Sequence, residues 1–529
     1  MQLPPVAGGR RFTGEVSDAV PGPHPVAGGT TGGYVITSWQ QEANSFDAAV
    51  GYDFQSWEAL NQLLYAPLYS FEGQDGGPEA NAARALPKLE KGGRRLIIEL
   101  RPGVRFANGR DVTAEDYIYS WERVLDPDVR SWAASYLYPI AGAEELYKGE
   151  ASSLAGVRAR GRMTLEIELT KPDETFIGIL TQPYTAAVPR EEVERYGEKF
   201  DENASGAGPF RLESYDLGAR EAIFVRNPHY FWKGLPYLDQ VIFRWQLEPQ
   251  LQIEQLQRGD IDMIGDGISS SLVAQVNSNP ALQPFVEPVV LQANRWVALN
   301  LRRPPLDDAR VRQALNYATD REQLSRITYG EATPWGGPLP RDLTPSGADT
   351  YDYDPERAQA LLAEAGAEGL AIELLISSEA DPWPQFAQIL QQQWAGLGID
   401  IEIAAVGAGA FYERTVSTDG ADADSWGDNW YYTTGNALEL AAATYVTGGA
   451  SNYSGYSNPQ VDKLVERSRS AGSNAERETL LAEINELITV DAPSVFLQNI
   501  NYVAGRNPDL SNFQYRGEYG AYYDRLWVS

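Results

Sequence analysis

The chain is predicted to be α/β, and three observations predict it. Past residue 285, short apolar stretches alternate with amphipathic ones, as strands alternate with helices in that class. Between residues 164 and 245, short alternating segments are separated by turn signals such as Asn227-Pro228 and Gly234-Leu235-Pro236. The run 96–127, LIIELRPGVRFANGRDVTAEDYIYSWERVLDP, carries a strand, a turn, a hairpin and a capped helix without interruption. Neither a fixed-period repeat nor a heptad pattern competes with this reading.

Taken in order, residues 34–38 (YVITS) read as a first strand, 39–53 as a polar and aromatic loop, and 57–68 as a helix. Residues 72–82 are loop by their Gly, Pro and Asn content. Leu96, Ile98 and Leu100 alternate as a half-buried strand does. Pro102-Gly103 and Asn108-Gly109 are turn pairs, since Pro presets φ and Gly tolerates positive φ. Thr113 stands three residues before Asp116, a near capping box, and Tyr117, Trp121, Val124 and Leu125 then fall on one helix face. Strands follow at 164–170, 210–215, 222–226 and 241–245, and a helix over 254–258 stops at Gly259. Further on, 296–301 is a strand, and Asp307 or Asp308 caps a helix carrying Val311, Ala314, Leu315 and Ala318. Asp354-Pro355 opens a helix that Gly366 closes. Strand, helix and strand follow at 370–376, 386–397 and 399–405.

At 529 residues the chain exceeds a single core, so two to four domains are expected. A hydrophobic fraction of 43% is enough to bury them. The formal charge of −30 argues against nucleic acid or anionic lipid as the primary partner. There is no cysteine, which removes disulfides, thiol catalysis and Cys-based metal sites. No apolar run reaches the roughly 18 residues that span a bilayer. Residues 1–29 are read as a flexible Pro/Gly-rich tether left by removal of a signal peptide.

Motifs for covalent chemistry are missing. There is no HExxH, GxSxG or Walker A loop, and only His24 and His229 could offer imidazole, too few for a histidine metal cage. Residues 419–428 (DGADADSWGD) partly match a calcium loop through Asp422 and Asp424, but Trp426 occupies the third ligand position. The positive signal is aromatic. Trp426, Trp430, Tyr431 and Tyr432 cluster among loop-forming residues, with Tyr445, Tyr453 and Tyr456 close behind. Aromatic walls with a few polar groups describe a small-ligand cleft.

The run 96–127 closely resembles the signature region of the family 5 bacterial extracellular solute-binding proteins, receptors that deliver oligopeptides and related solutes to ABC importers. Other blocks keep the family's order. They include Tyr65-Ala66-Pro67-Leu68, Gly206-Ala207-Gly208-Pro209-Phe210, Arg226-Asn227-Pro228-His229-Tyr230, residues 256–262 (LQRGDID), 300–321, 353–366 and 452–464. The resemblance implies a periplasmic-binding-protein-like α/β fold, with two hinged lobes that close on ligand and an extra inserted domain. By that analogy lobe one is 30–55, 183–284 and 499–529, the inserted domain 56–182, and lobe two 285–498. It implies no catalysis and no cofactor. It implies a monomer outside the cytoplasm, lipid-anchored before trimming, that works with an ABC permease and its ATPase.

The resemblance also nominates site residues. In peptide-binding relatives a Trp-x-x-Asp segment of lobe two supplies a carboxylate for the peptide ammonium. Trp426-Gly427-Asp428-Asn429 resembles it, one residue shorter and without the Asp-Pro that usually follows. Asp428 is the expected anchor, with Trp426, Asn429 and Trp430 beside it. Trp39, Gln40 and Glu42 fall where relatives offer backbone to an extended peptide, and Asn294 and Trp296 lie near the start of lobe two. The 13 tryptophans and the shortened segment leave an oligosaccharide as the alternative ligand. A secreted hydrolase on the same scaffold is the remaining alternative, and nickel is disfavoured by the histidine count.

Overall fold

The computed structural model describes residues 25–528 apart from 27, 72–77, 174–175, 329–331, 342–343, 345–349, 368, 379, 381, 416–420, 433–436, 450, 470, 472–473 and 517–519. It separates into two compact units. One contains the described residues up to Ile268, with Ala281–Val289 and those from Ala504 on. The other contains Ser269–Pro280 and Val290–Val503.

In the first unit the strand Tyr34–Ser38 runs parallel to both neighbours, Gln240–Arg244 and Met263–Ile264. Glu221–Arg226 and Phe210–Asp216 extend this sheet antiparallel on one side, and Gly505 and Arg506 pair with Ile264 and Met263 on the other. A central parallel strand is covered on both faces, which suits the β-branched run of YVITS; Val35 and Thr37 are buried on one face, Ile36 and Ser38 on the other. A second, antiparallel sheet orders Lys88–Glu90, Arg95–Glu99, Thr164–Glu168 and Val157–Ala159. Leu96 and Ile98 share one core with Tyr117, Trp121, Val124 and Leu125 of the helix Ala114–Val124 and the residue after it. Thr113 and Asp116 form the expected capping box, with the Thr113 N–H donating to the Asp116 carboxylate at 2.8 Å.

Two segments differ from their sequence reading. The helix expected over 57–68 starts earlier, at Phe54–Ala59, where the Asp53 carboxylate accepts from the Ser56 N–H. It continues as one wide turn, Leu60–Leu64, and ends at Tyr65 in extended backbone. Pro67 explains the early stop, because it has no N–H to continue the ladder and biases its predecessor away from helix. Within 72–82, residues 72–77 lie outside the described residues, whereas Pro78–Ala80 is a strand paired with Tyr69–Phe71.

In the second unit the strand order is Asp400–Val406, Ala371–Ser377, Ser425–Tyr431, then residues 290–299 of the strand Val286–Leu299 and 494–503 of the strand Ser494–Arg506, with Ala332–Pro334 paired to the last. Alternate residues of each strand divide between two cores. Val297, Leu299, Leu374 and Leu497 pack with the helices Ala309–Tyr317, Pro355–Ala365 and Trp383–Ala395. Trp296, Ala298, Leu375, Trp426 and Phe496 pack with Leu438–Thr444, Pro459–Arg469 and Asn474–Asp491. Helices on both faces of a mixed sheet give the α/β class expected. The helix ends follow the sequence signals: Asp308 accepts from the Arg310 N–H, Asp354 accepts from the Arg357 N–H, and Gly366 takes a left-handed φ of 65°.

Candidate functional site

The aromatic segment expected as loop is a strand, Ser425–Tyr431, running parallel to Ala371–Ser377 and antiparallel to Val286–Leu299. Its Gly, Asp and Asn content reads as loop chemistry, but Trp and Tyr favour a pleated surface, and two flanking strands supply the ladder. The pairing joins candidates far apart in sequence. Trp296 lies opposite Asp428, Asn294 opposite Trp430, and Ala298 opposite Trp426. Because strand side chains alternate, these six residues share one face. Asn429, Arg295 and Gly427 belong to the other face.

That second face explains Gly427. A Cβ there would stand 2.5 Å from the Trp383 ring, so only glycine admits this approach. It also holds the cation that the strand pairing brings opposite Asn429, Arg295. Arg295 donates to Gln498 at 3.1 Å and stacks over Phe386 at 5.3 Å, across the sheet from Asp428.

Asp428 is half-buried and accepts from the Asn429 N–H at 2.8 Å. Burial strips water from its carboxyl and pushes its pKa up to about 7. The Asn429 N–H and the Trp426 indole pull against that rise, and no cation takes part. Tyr445, buried nearby, has its hydroxyl pushed up by burial and by the Asp428 charge, and it stays protonated. On the same strand pair, Trp296 Nε1 and Trp430 Nε1, and just past it Tyr432 Oη, are buried with no hydrogen-bond partner among the described residues. Buried polar atoms are nearly always satisfied, so a cluster of unsatisfied donors beside an unpaired acid has the chemistry of a site for a polar cation that also carries acceptors.

The other candidates are placed as follows. Trp426 and Trp296 are both 2% exposed and belong to the core of that face. Asn294 donates to the Pro338 carbonyl at 3.0 Å and accepts from Asn499, so both ends of its amide are engaged. Asn429 serves Asp428 through its backbone. Trp39, in the first unit, is fully buried between Phe54 and Phe243, and Gly265 makes room for its ring. The backbone N–H of exposed Gln40 donates to Asp266 at 2.8 Å, and Glu42 accepts from the Tyr215 hydroxyl at 3.1 Å. Asp422 and Asp424, weighed as calcium ligands, both pair with Arg303, at 2.7 and 3.0 Å. Tyr432 and Tyr445 were visible in the sequence as part of the aromatic cluster. Nothing in the spacing of Tyr445 singled it out as a neighbour of the Asp428 carboxyl.

Residues 77–452 match the family described as bacterial extracellular solute-binding proteins, family 5 middle. The glutathione-binding protein GsiB of Pectobacterium atrosepticum is 27% identical over 440 residues, covering 80% of this chain and 81% of that protein. GsiB of Salmonella paratyphi A is 28% identical over 445 residues, covering 82% and 83%. Among solved structures, the clavulanic acid biosynthesis oligopeptide binding protein 2 superposes with a TM-score of 0.84 at 20% identity, over 96% of this chain and 97% of that one. Helicobacter pylori DppA in complex with peptide STSA gives a TM-score of 0.76 at 21% identity, over 94% and 98%. These structural similarities carry the fold, which is that of the periplasmic peptide-binding proteins.

Proposed function

The chain belongs to the bacterial extracellular solute-binding proteins of family 5, receptors rather than enzymes, and from that premise we propose that it captures a short peptide by its free ammonium group. One observation carries the reading. The Asp428 carboxyl is raised by burial, no cation among the described residues acts on it, and the strand pair that carries it holds buried indole donors without a partner among those residues. An ammonium placed there makes a charge-assisted hydrogen bond and removes the cost of the unpaired carboxylate. The donors Trp296 Nε1, Trp430 Nε1 and Tyr432 Oη are then free to meet carbonyl oxygens of the same ligand. The GsiB proteins, by name, bind glutathione, and DppA was solved with a tetrapeptide, which supports a ligand of a few residues.

In this reading the protein acts outside the cytoplasm, tethered by a lipid ahead of the Pro/Gly-rich segment, and hands its ligand to an ABC permease driven by an ATPase. Residues 56–182 form the inserted domain, which is supported by their own four-stranded sheet and shared core. Nothing is transformed; the ligand is bound and released.

The test is a thermal-shift and calorimetric screen of glutathione, a mixed di- to tetrapeptide library, the same peptides N-acetylated, and cello-, xylo- and malto-oligosaccharides. Stabilisation by free peptides that acetylation abolishes is the expected result. Stabilisation by sugars alone, or equally by acetylated peptides, overturns it.

A further inference from the structure

The first unit contains a cavity of about 70 Å³ that lies wholly within it, where the Leu60–Leu64 turn, the strand Tyr69–Phe71 and the C-terminal segment at 522–525 meet. Its lining mixes apolar groups, among them Ala66, Pro67 and Pro209, with polar ones. Asp524 and Arg525 both face it, 6% and 9% exposed, and are paired to one another at 3.3 Å. Arg525 also stacks over Tyr522 at 4.6 Å. Tyr69 and Ser70 line the same cavity, and each has a buried hydroxyl oxygen without a hydrogen-bond partner among the described residues. The Gln62 side chain completes this group.

These groups restrict the occupant. An apolar molecule leaves the two hydroxyls unsatisfied, at a cost of about 1–3 kcal/mol each. A lone anion or cation adds net charge to a buried pair that is already balanced. A zwitterion answers both demands. Its carboxylate faces the Arg525 guanidinium, its ammonium faces the Asp524 carboxylate, and the remaining donors and acceptors reach Tyr69 Oη and Ser70 Oγ. At roughly 15 Å³ for each water-sized occupant, the cavity takes about five non-hydrogen atoms, the size of the smallest amino acid. The geometry points to a second ligand site in this protein, for a small zwitterionic amino acid, built by Asp524, Arg525, Tyr69 and Ser70 and separate from the Asp428 site.

The test uses the whole chain and glycine as the probe, with acetate and ethylamine as single-charge controls. Calorimetry is expected to show saturable glycine binding that the two controls do not match. Ser70→Leu, which fills the cavity, should weaken glycine about tenfold or more. Asp428→Asn, which alters only the peptide site, should leave glycine binding unchanged. A crystal of the unaltered protein soaked in glycine reads the same question if Ser70→Leu does not fold, and is expected to show the molecule against Asp524 and Arg525. No saturable binding, equal binding of acetate or ethylamine, water only in the soaked cavity, or glycine binding lost with Asp428→Asn overturns the proposal.

Discussion

At Asp428 a single proton decides affinity. The carboxyl is pushed up to about 7 by burial, so in the free protein it is half-protonated near neutrality. It must ionise to hold an ammonium. Peptide affinity should therefore fall about tenfold for each pH unit below ~7, and fall again above ~8 as the peptide's own α-ammonium deprotonates. Calorimetric titrations from pH 5 to 9 check this; a flat profile would show that the acid does not carry the contact. Asp428→Asn should cost roughly 2–5 kcal/mol of peptide binding at pH 7.5, and it should raise the melting temperature of the unliganded protein there, because the amide removes a charge that burial disfavours. A second buried acid, Glu58, is pushed up to about 8, chiefly by burial, while a hydrogen bond from Tyr523 at 2.5 Å opposes the rise. The folded state holds this proton after the unfolded chain has released it. The linked stability is thus full below about pH 4 and is lost progressively as pH rises to about 8. Glu58→Gln should flatten the pH dependence of urea denaturation over that range by a few kcal/mol.

At the scale of elements, the sheet is what makes the site. Gly427 lets the Ser425–Tyr431 strand lie against Trp383, and that contact fixes the height at which Asp428 meets Trp296. Gly427→Ala should destabilise the protein by about 1–3 kcal/mol through overpacking and weaken peptide binding as well, which paired denaturation and calorimetry would separate. The capping box gives a contrasting case. Thr113→Ala removes the hydroxyl that caps Ala114–Val124 and donates to the Asp116 carboxylate, while the backbone N–H of residue 113 and the Arg110 guanidinium still hold that carboxylate; it should cost about 1 kcal/mol, with peptide affinity unchanged. Local signals of this kind were legible in advance. Caps at Thr113, Asp308 and Asp354, the turns at Gly103 and Gly109, and the helix stops at Gly259 and Gly366 each depend on a few neighbouring residues. The strand at 425–431 was not legible, because Trp-Gly-Asp-Asn-Trp carries loop residues whose pairing partners lie about 130 residues upstream and 50 upstream.

For the whole molecule, ligand and stability are linked. A peptide that binds only the folded chain should add about 2.7 kcal/mol of stability at a concentration of roughly 100 Kd, and Asp428→Asn should abolish that increment, read against the variant's own unliganded melting temperature. Differential scanning calorimetry of both proteins, with and without peptide, checks it. An unchanged increment in the variant would move the ammonium site elsewhere.

The α/β class, the order of family blocks from Tyr65 to residue 464 and the lack of catalytic motifs were already determined by the sequence, because periodicity, capping and motif order are properties of neighbouring residues. Asp428 too could be named from its local segment. Only the tertiary structure decided which side chains stand with it. Strand register brings Trp296 opposite Asp428, the two-residue alternation sends Asn429 and Arg295 to the far face, and packing places Trp39 in a core. Register and burial are set by contacts between residues distant in the chain, and the loss of water that raises the Asp428 carboxyl exists only once those contacts have formed.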